Sequence, residues 1–271
     1  MGRAMADNLP QRCLDCLVRD TGLCGVLRDD ELLQLSRIAR RRLVSASTVV
    51  AWEGDDNGLC ASVVTGALKL LKTTSDGREQ AVGLLGQGDF FGQPFSKSGH
   101  LTAIALSDTE LCVFPRGPFE QAMDDQPRLE RALLERTMRS LNEARERQLT
   151  LARKGAQARI AGFLLDLLAG RAGGVIELPM SRGDIADYLG LTIETVSRQF
   201  TELKNGGIIA AERGGRTVRG RDVAALMSNR PEALVEAVYE ADLTGPLVPS
   251  GVPVFYSGGV ERVTGYPPEV W

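Results

Sequence analysis

The sequence has a single histidine, His100, and it lacks a phosphate-binding loop of the GxxxxGK[ST] type. One histidine excludes metal sites built from several imidazoles and leaves one candidate base for a serine or cysteine nucleophile. The longest stretch without charge, 243–260, carries three prolines and four glycines, so it cannot be a membrane-spanning helix. No signal peptide is expected, because residues 1–10 already hold Arg3 and Asp7. These absences argue against an enzyme and indicate the cytoplasm.

The charges are nearly balanced, with 32 Lys and Arg against 35 Asp and Glu in 271 residues. The chain as a whole is therefore not a polybasic nucleic-acid binder, although a local basic surface remains compatible with this balance. The five cysteines are more informative, because Cys13, Cys16 and Cys24 fall within twelve residues while Cys60 and Cys112 stand apart. In a reducing cytosol, clustered cysteines are typical of metal ligands or redox groups.

Short apolar runs separated by glycine-rich turns fill residues 42–115. Short strands separated by turns in this way predict an antiparallel barrel or roll. The predicted strands are 48–52, 59–64, 67–72, 80–85, 101–106 and 110–114. A short amphipathic helix is predicted before them, over 29–38, and the fold class is α+β.

A long helix follows, predicted over 126–154 from a composition rich in Leu, Glu, Arg and Ala. At 1.5 Å per residue it would be about 43 Å long. Alternating four- and three-residue steps define a seam of Leu134, Met138, Leu141, Arg145, Gln148 and Ala152. This spacing indicates pairing of two copies, and packing of the helix on its own barrel is the alternative. Another helix is predicted over 156–171.

A second, smaller domain is predicted from Gly174 onward. Ser181 begins a helix that runs through Leu189, Gly190 makes a tight turn, and Thr192 begins a second helix through Asn205. The second helix buries one face and exposes the other. The buried residues are Val196, Phe200 and Leu203, and the outward residues are Glu194, Ser197, Arg198 and Thr201.

A hairpin is predicted over 208–218, turning at Gly214-Gly215. Together with the two helices it makes a winged helix-turn-helix. Residues 181–222 hold seven basic residues against six acidic ones, and four of the basic residues surround the hairpin: Arg213, Arg216, Arg219 and Arg221. This positive surface favours DNA, and an ordinary solvated hairpin is the alternative.

The order of sensor β-roll (cupin-like), long dimerisation helix and C-terminal winged helix-turn-helix resembles the Crp/Fnr family of transcription regulators over about residues 10–228. Within the most specific stretch, 181–198, the E-x-x-S-R pattern of Glu194, Ser197 and Arg198 is similar to the Fnr branch. The resemblance implies a homodimer on double-stranded DNA with inverted TTGAT half-sites, and RNA polymerase as a further partner.

The residue chemistry agrees with that implied DNA contact. The Arg198 guanidinium suits guanine O6 and N7, Glu194 can accept from a cytosine amine, and Ser197 can donate or accept between them. The alternative is that Glu194 and Arg198 form a surface salt bridge.

The cysteines also carry a resemblance. Cys13-x2-Cys16-x7-Cys24, with Cys112 at a strand end, is similar to Fnr-type sensors, although the x7 spacing is longer than in their best-known pattern. The resemblance implies a 4Fe–4S cluster on these four thiolates, which favours the dimer until oxygen dismantles it. A zinc site and thiol–disulfide sensing are alternatives, and Cys60 is expected to be a small buried apolar residue.

No cyclic nucleotide is expected. The segment 88–92 resembles the opening of the family's nucleotide-binding cassette, but the Arg-Ser pair of that cassette does not follow. No arginine occurs between Arg78 and Arg116.

The chain continues beyond the resemblance. The segment 254–271 resembles the opening of a PAS domain, so a larger PAS-containing signalling protein is a further interpretation, with chance likeness as its alternative. An electron carrier is disfavoured by the base-reading helix. The predicted division is 1–28 cysteine-rich segment, 29–118 β-roll, 119–154 dimerisation helix, 155–228 winged helix-turn-helix and 229–271 poorly packed tail.

Overall fold

The computed structural model describes residues 9–56, 58–168, 175–211, 217–220 and 226. The expected domain start at Gly174, the hairpin tip with Arg213 and Arg216, Arg221 and the tail 229–271 lie outside these residues. The chain forms two compact units, one containing the roll, the long helix and the first helix of the helix-turn-helix, the other containing the helix Ala156–Leu168 and the C-terminal strands. None of the described helices is both long and apolar enough to cross a membrane.

The helices are α1 (Gln11–Leu14), α2 (Asp29–Ile38), α3 (Arg116–Asp125), α4 (Pro127–Arg153), α5 (Ala156–Leu168), α6 (Arg182–Leu189) and α7 (Ile193–Asn205), with a 3₁₀ helix at Leu23–Val26. The strands are β1 (Arg40–Val44), β2 (Val49–Ala51), β3 (Leu59–Thr65), β4 (Leu68–Thr73), β5 (Glu79–Leu85), β6 (Phe90–Phe91), β7 (Thr102–Ala105), β8 (Thr109–Pro115), β9 (Val175–Glu177), β10 (Ile209–Ala211) and β11 (Thr217–Gly220).

The first eight strands form the predicted antiparallel roll. One sheet has the order β1-β8-β3-β6 and the other has the order β2-β7-β4-β5. All six predicted strands are present within one or two residues of their expected bounds, and the α+β class is confirmed. The strands β1 and β6 were not predicted from the sequence. β1 lies at a sheet edge and begins with three arginines, so it lacks the alternation of polar and apolar residues that marks a half-buried strand.

Two apolar clusters stabilise the roll, and β3 contributes to both because it is buried on both faces. Side chains on one face of β3, among them Ala61 and Val63, pack with Leu68 and Leu111. Cys60, on the other face, joins a cluster with residues of α2, α3 and α4. In that cluster the Phe119 ring lies 5.2 Å from Phe114 and 5.5 Å from Phe90, between ring centroids. Apolar burial of this extent is the main stabilising contribution to such a domain.

The predicted long helix is present, and a shorter helix precedes it. The helix expected over 126–154 is α4, which spans Pro127–Arg153, while α3 begins at Arg116 and ends at Asp125, and Gln126 between them has φ −131° and ψ 87°. Pro127 occupies the first position of α4 and disfavours helical geometry in the residue before it. The continuous helix therefore has 27 residues and is about 40 Å long.

The predicted seam of α4 is exposed within this chain. Leu134, Met138 and Leu141 are 61%, 49% and 43% exposed, and the remaining seam residues are exposed as well. Leu129 and Ala132, which lie on the opposite side of the helix, are buried against the chain's own core. The alternative that the seam packs on its own barrel is therefore wrong.

The helix-turn-helix follows its local signals. The Ser181 hydroxyl accepts from the Asp184 backbone N–H at 3.1 Å, and the Asp184 carboxylate accepts from the Ser181 N–H at 3.1 Å, which completes a capping box. The Thr192 hydroxyl accepts from the Thr195 N–H at 3.2 Å at the start of α7. The predicted helix bounds at Leu189 and Asn205 are confirmed. The predicted helix over 156–171 is described as far as Leu168.

Gly190 ends α6 in the left-handed conformation, with φ 61° and ψ 45°. We expect Gly190→Ala to destabilise the protein by about 1–2 kcal/mol, the cost of placing a Cβ in that region. Gly183→Ala is the matched control, because Gly183 lies inside α6 and a Cβ there would make ordinary contacts of 3.5 and 3.7 Å. Thermal unfolding should show a lower Tm for the first variant only. If both variants had the same Tm, the left-handed conformation at Gly190 would not require glycine.

Candidate functional site

The four cysteines predicted as ligands line one cavity. Cys13 lies in α1, Cys16 follows it, Cys24 lies in the 3₁₀ helix, and Cys112 lies in β8. All four are free thiols. Cys112 was expected at a strand end, but it lies in the middle of β8, opposite Arg41 of β1 and Ser62 of β3. The strand continues to Pro115 because β8 pairs on both sides.

The cysteine segment is held in place by packing and by arginines. Leu23 is buried and Cys24 is partly buried against the cluster that includes Leu129 and Ala132 of α4. The Arg12 guanidinium donates to the Ser36 carbonyl oxygen at 2.7 Å. The remaining contacts join the Arg19 guanidinium to the Asp29 carboxylate at 3.2 Å and the Arg41 guanidinium to the Arg12 carbonyl oxygen at 2.9 Å.

Burial lowers the acidity of three of the cavity thiols. It raises the pKa of Cys24 to about 12, with the neighbouring Cys112 adding to the effect, and it raises the pKa of Cys112 to about 11. Burial also raises the pKa of Cys13, against the opposing charge of Arg12. Cys13, Cys24 and Cys112 of the metal-free protein therefore keep their protons at neutral pH, and a bound metal centre would have to displace them.

The donor set fits a thiolate-bound metal centre, and the space between the donors is small. The cavity measures about 30 Å³, which holds one or two water molecules. Within the described residues, no three His, Cys, Asp or Glu side chains converge on a single-ion site. Zinc would require four sulfurs at about 2.3 Å from one ion, whereas in a cubane each thiolate binds a different iron.

Cys60 does not line this cavity. It is fully buried in the core cluster with Phe114 and Phe119. Burial raises the pKa of its thiol to about 12. The expectation that Cys60 is a small buried residue is confirmed.

The proposed base-reading side chains lie on one exposed face of α7. Glu194, Ser197 and Arg198 are all exposed, while Val196 and Phe200 are buried. The other predicted positions agree: Leu203 is buried and Thr201 is exposed. Within the described residues no ion pair joins Glu194 to Arg198, so their proposed alternative role as a salt bridge has no contact to support it.

The Glu194 carboxyl is set up as an acceptor. Hydrogen bonds from its own backbone N–H and from the Thr192 hydroxyl hold its pKa below the usual value. The ionised carboxylate can only accept, which suits an exocyclic amine of a base.

The strands after α7 form the predicted hairpin. β10 and β11 pair antiparallel, with Ala211 opposite Val218, in a sheet of order β10-β11-β9. Arg219, one of the four predicted wing arginines, is exposed on β11.

Sequence reasoning missed the arginines around the cysteine cavity. Arg12, Arg19 and Arg41 all line it. Two of them adjoin the cysteine motif in sequence, which was an available signal. Arg41 stands in a run of three arginines, and its place beside Cys112 depends on the pairing of β1 with β8, which is separated from it by about 70 residues.

Two family models match the chain. A cyclic nucleotide-binding domain matches residues 41–126, and a Crp-like helix-turn-helix domain matches residues 158–228. The first covers the roll and α3, and the second covers α5 through the C-terminal strands.

Individual relatives match most of the chain. It is 41% identical to the transcriptional activator protein FnrL of Cereibacter sphaeroides, over 80% of this chain and 90% of the relative. It is 38% identical to the nitrogen fixation regulation protein FixK of Bradyrhizobium diazoefficiens, over 83% of this chain and 94% of the relative. The structure of FixK2 from Bradyrhizobium japonicum superposes with a TM-score of 0.66 at 35% identity, over 70% of this chain and 96% of the FixK2 chain. These relatives are regulators rather than enzymes, and the chain belongs to the Crp/Fnr family of transcription regulators.

Proposed function

We propose that this protein is an oxygen-responsive transcription regulator of the Fnr/FixK type, which acts in the cytoplasm as a homodimer on an inverted TTGAT-type repeat. Cys13, Cys16, Cys24 and Cys112 would hold a 4Fe–4S cluster, which supplies the oxygen-sensitive group when bound. Glu194, Ser197 and Arg198 would read the bases. RNA polymerase would be a further partner, since the chain is similar to a transcriptional activator.

The observation that carries this proposal is the shared cavity. Three cysteines of a short N-terminal segment and a fourth from the middle of β8 line the same space, although about 90 residues separate Cys24 from Cys112. Four partly buried thiols without a disulfide match the ligand count of a cubane. The fifth cysteine, Cys60, lies elsewhere in the core.

The packing around the cavity supports a coupling between the cysteine site and the proposed dimer seam. Cys24 packs against the same cluster as Ala132 and the partly buried Leu133 of α4. The exposed seam begins at the next residue, Leu134. A change in the position of the 3₁₀ helix would therefore alter the support of α4 where its exposed apolar face begins.

Dimerisation matters for DNA affinity because each α7 reads only one half-site. A symmetric dimer places two such helices on an inverted repeat and so doubles the base contacts. Anything that weakens the seam lowers the affinity for the full site far more than the affinity of one half-site.

The proposed function is tested by purifying the protein without oxygen, measuring iron and sulfide, and then admitting air. We expect about four irons per chain, the cubane stoichiometry, and a broad visible absorbance that bleaches in air. Binding to a TTGAT inverted repeat should fall as the absorbance bleaches. A colourless protein that contains zinc, or one that binds the repeat equally well after bleaching, would overturn the oxygen-sensing mechanism.

Leu141→Glu is expected to convert the anaerobic dimer to a monomer. Burying a leucine side chain contributes about 1.5–3 kcal/mol, and the seam buries two copies, so the dimer should weaken at least 100-fold. Leu43→Glu is the matched control, because Leu43 is 82% exposed on β1. Sedimentation equilibrium distinguishes the two variants. An L141E protein that remains dimeric would show that α4 does not form the interface.

We also propose that the roll does not bind a cyclic nucleotide. It holds a cavity of about 400 Å³ lined by apolar residues such as Trp52, Leu70 and Phe91. Arg147 also lines this cavity, and its guanidinium already donates to the Val82 carbonyl oxygen. Calorimetric titration with cyclic AMP should give no binding heat, and saturable binding would contradict this proposal.

A further inference from the structure

Arg41 occupies a distinctive position beside the cysteine cavity. It lies in β1 directly opposite Cys112 of β8 in the antiparallel register. Its side chain is 22% exposed and lines the cavity together with all four cysteines. The neighbouring Arg42 is exposed and is paired with Leu111 instead. Alternation of side chains along the strand therefore directs one of these two arginines to the cavity.

The Arg41 guanidinium connects the two parts of the site. Nη2 donates to the carbonyl oxygen of Arg12 at 2.9 Å, and Arg12 immediately precedes Cys13. Nη1 lies 2.8 Å from Oε1 of Glu110, two residues before Cys112 on β8. One side chain thus joins the segment that carries three of the cysteines to the strand that carries the fourth.

The same guanidinium brings charge and donor capacity to the cavity. Burial raises the pKa of both Cys112 and Cys13, and the positive charge of Arg41 opposes part of that rise. Nη1 is buried, and its contact with Glu110 lacks hydrogen-bond geometry, so it has no hydrogen-bond acceptor in the described part of the chain. A guanidinium N–H suits the sulfur atoms of an anionic thiolate-bound centre.

We propose that Arg41 is a positioning residue for the cysteine site, with two effects. It fastens the cysteine segment to β8, and it stabilises the more negative, reduced state of a bound cluster, which raises the reduction potential. The second effect rests on the proposed iron–sulfur function. The first does not, because it concerns contacts already present in the metal-free chain.

The fastening effect is tested on the metal-free full-length protein by hydrogen–deuterium exchange. In Arg41→Ala, amides in residues 10–16 should exchange about ten-fold faster, the effect of losing one charge-assisted hydrogen bond. Arg42→Ala is the matched control, since it removes an exposed arginine from the same strand and should leave exchange in 10–16 unchanged. Equal exchange in the two variants would overturn the fastening effect, whether or not the protein carries a cluster.

The charge effect is tested by anaerobic redox titration of the iron-loaded protein. Arg41→Ala should lower the midpoint potential relative to wild type and Arg42→Ala. Arg41→Lys should restore most of the potential, because it keeps the charge, but not the slow exchange of residues 10–16, because a lysine cannot form both contacts. A potential that is the same in R41A and wild type overturns the charge effect.

These experiments separate the inference from the proposed function. If wild-type protein carries no iron–sulfur cluster, the proposed function and the charge effect both fail, and hydrogen exchange still decides the fastening effect. If wild-type protein carries the cluster and R41A matches R42A in both measurements, the proposed function stands and the role of Arg41 is refuted.

Discussion

Replacing Cys24 with serine is expected to remove the iron of the anaerobic protein and its affinity for the inverted repeat together. A serine hydroxyl is a poor substitute for a thiolate, and the remaining three cysteines leave one corner of a cubane without a ligand. Cys24 also packs against the cluster that supports α4, so its loss acts at the junction between cavity and seam. Iron should fall from about four atoms per chain to near zero. DNA affinity should fall at least about 100-fold, toward the non-specific level.

The chain offers its own control for that experiment. Cys60→Ala removes a buried thiol that does not line the cavity, and it should keep both the iron and the anaerobic DNA affinity. Cys112→Ser should behave like Cys24→Ser, because both cysteines line the same cavity and both are proposed ligands of the cluster. If C24S kept four irons, or a well-folded C60A lost its iron, the proposed set of four cysteine ligands would be wrong. If C24S loses iron yet stays dimeric and binds the repeat tightly, the site is not coupled to DNA binding.

Features set by neighbouring residues were predictable from the sequence. Ser181 and Asp184 cap α6 through contacts three residues apart, and Gly190 supplies the left-handed turn, so the helix-turn-helix bounds are recovered closely. The strands of the roll were recovered because glycine-rich turns separate them. The bounds of the long helix were also predicted within one residue, but the short helix α3 before it was not predicted as a separate element.

Features set by strand pairing were not predictable in the same way. The sequence identifies Cys112 as a candidate ligand, but its place in the middle of β8 follows from pairing with both β1 and β3. Arg41 shows the same limit more sharply. Three consecutive arginines look alike in sequence, and only the register of β1 with β8 places the second of them beside the cavity.

Arg198→Ala is expected to reduce binding to the TTGAT inverted repeat and to remove preference for its guanine. The side chain is exposed on α7, and no described ion pair joins it to Glu194. A bidentate contact to guanine contributes about 1–3 kcal/mol, and a symmetric dimer makes it twice. The affinity of the dimer should therefore fall between about 30-fold and about 10⁴-fold.

The measurement compares the repeat with a repeat whose guanines are replaced, at one fixed salt concentration, for wild type, R198A and a charge-matched control. Arg78→Ala is that control, because Arg78 is 83% exposed in the β4–β5 turn and its loss changes the net charge equally. Wild type and R78A should prefer the guanine-containing repeat, whereas R198A should bind both repeats with the same weakened affinity. If R198A loses affinity but keeps the preference, Arg198 contacts phosphate rather than a base. If R78A weakens as much as R198A, the loss reflects overall charge and not readout by α7.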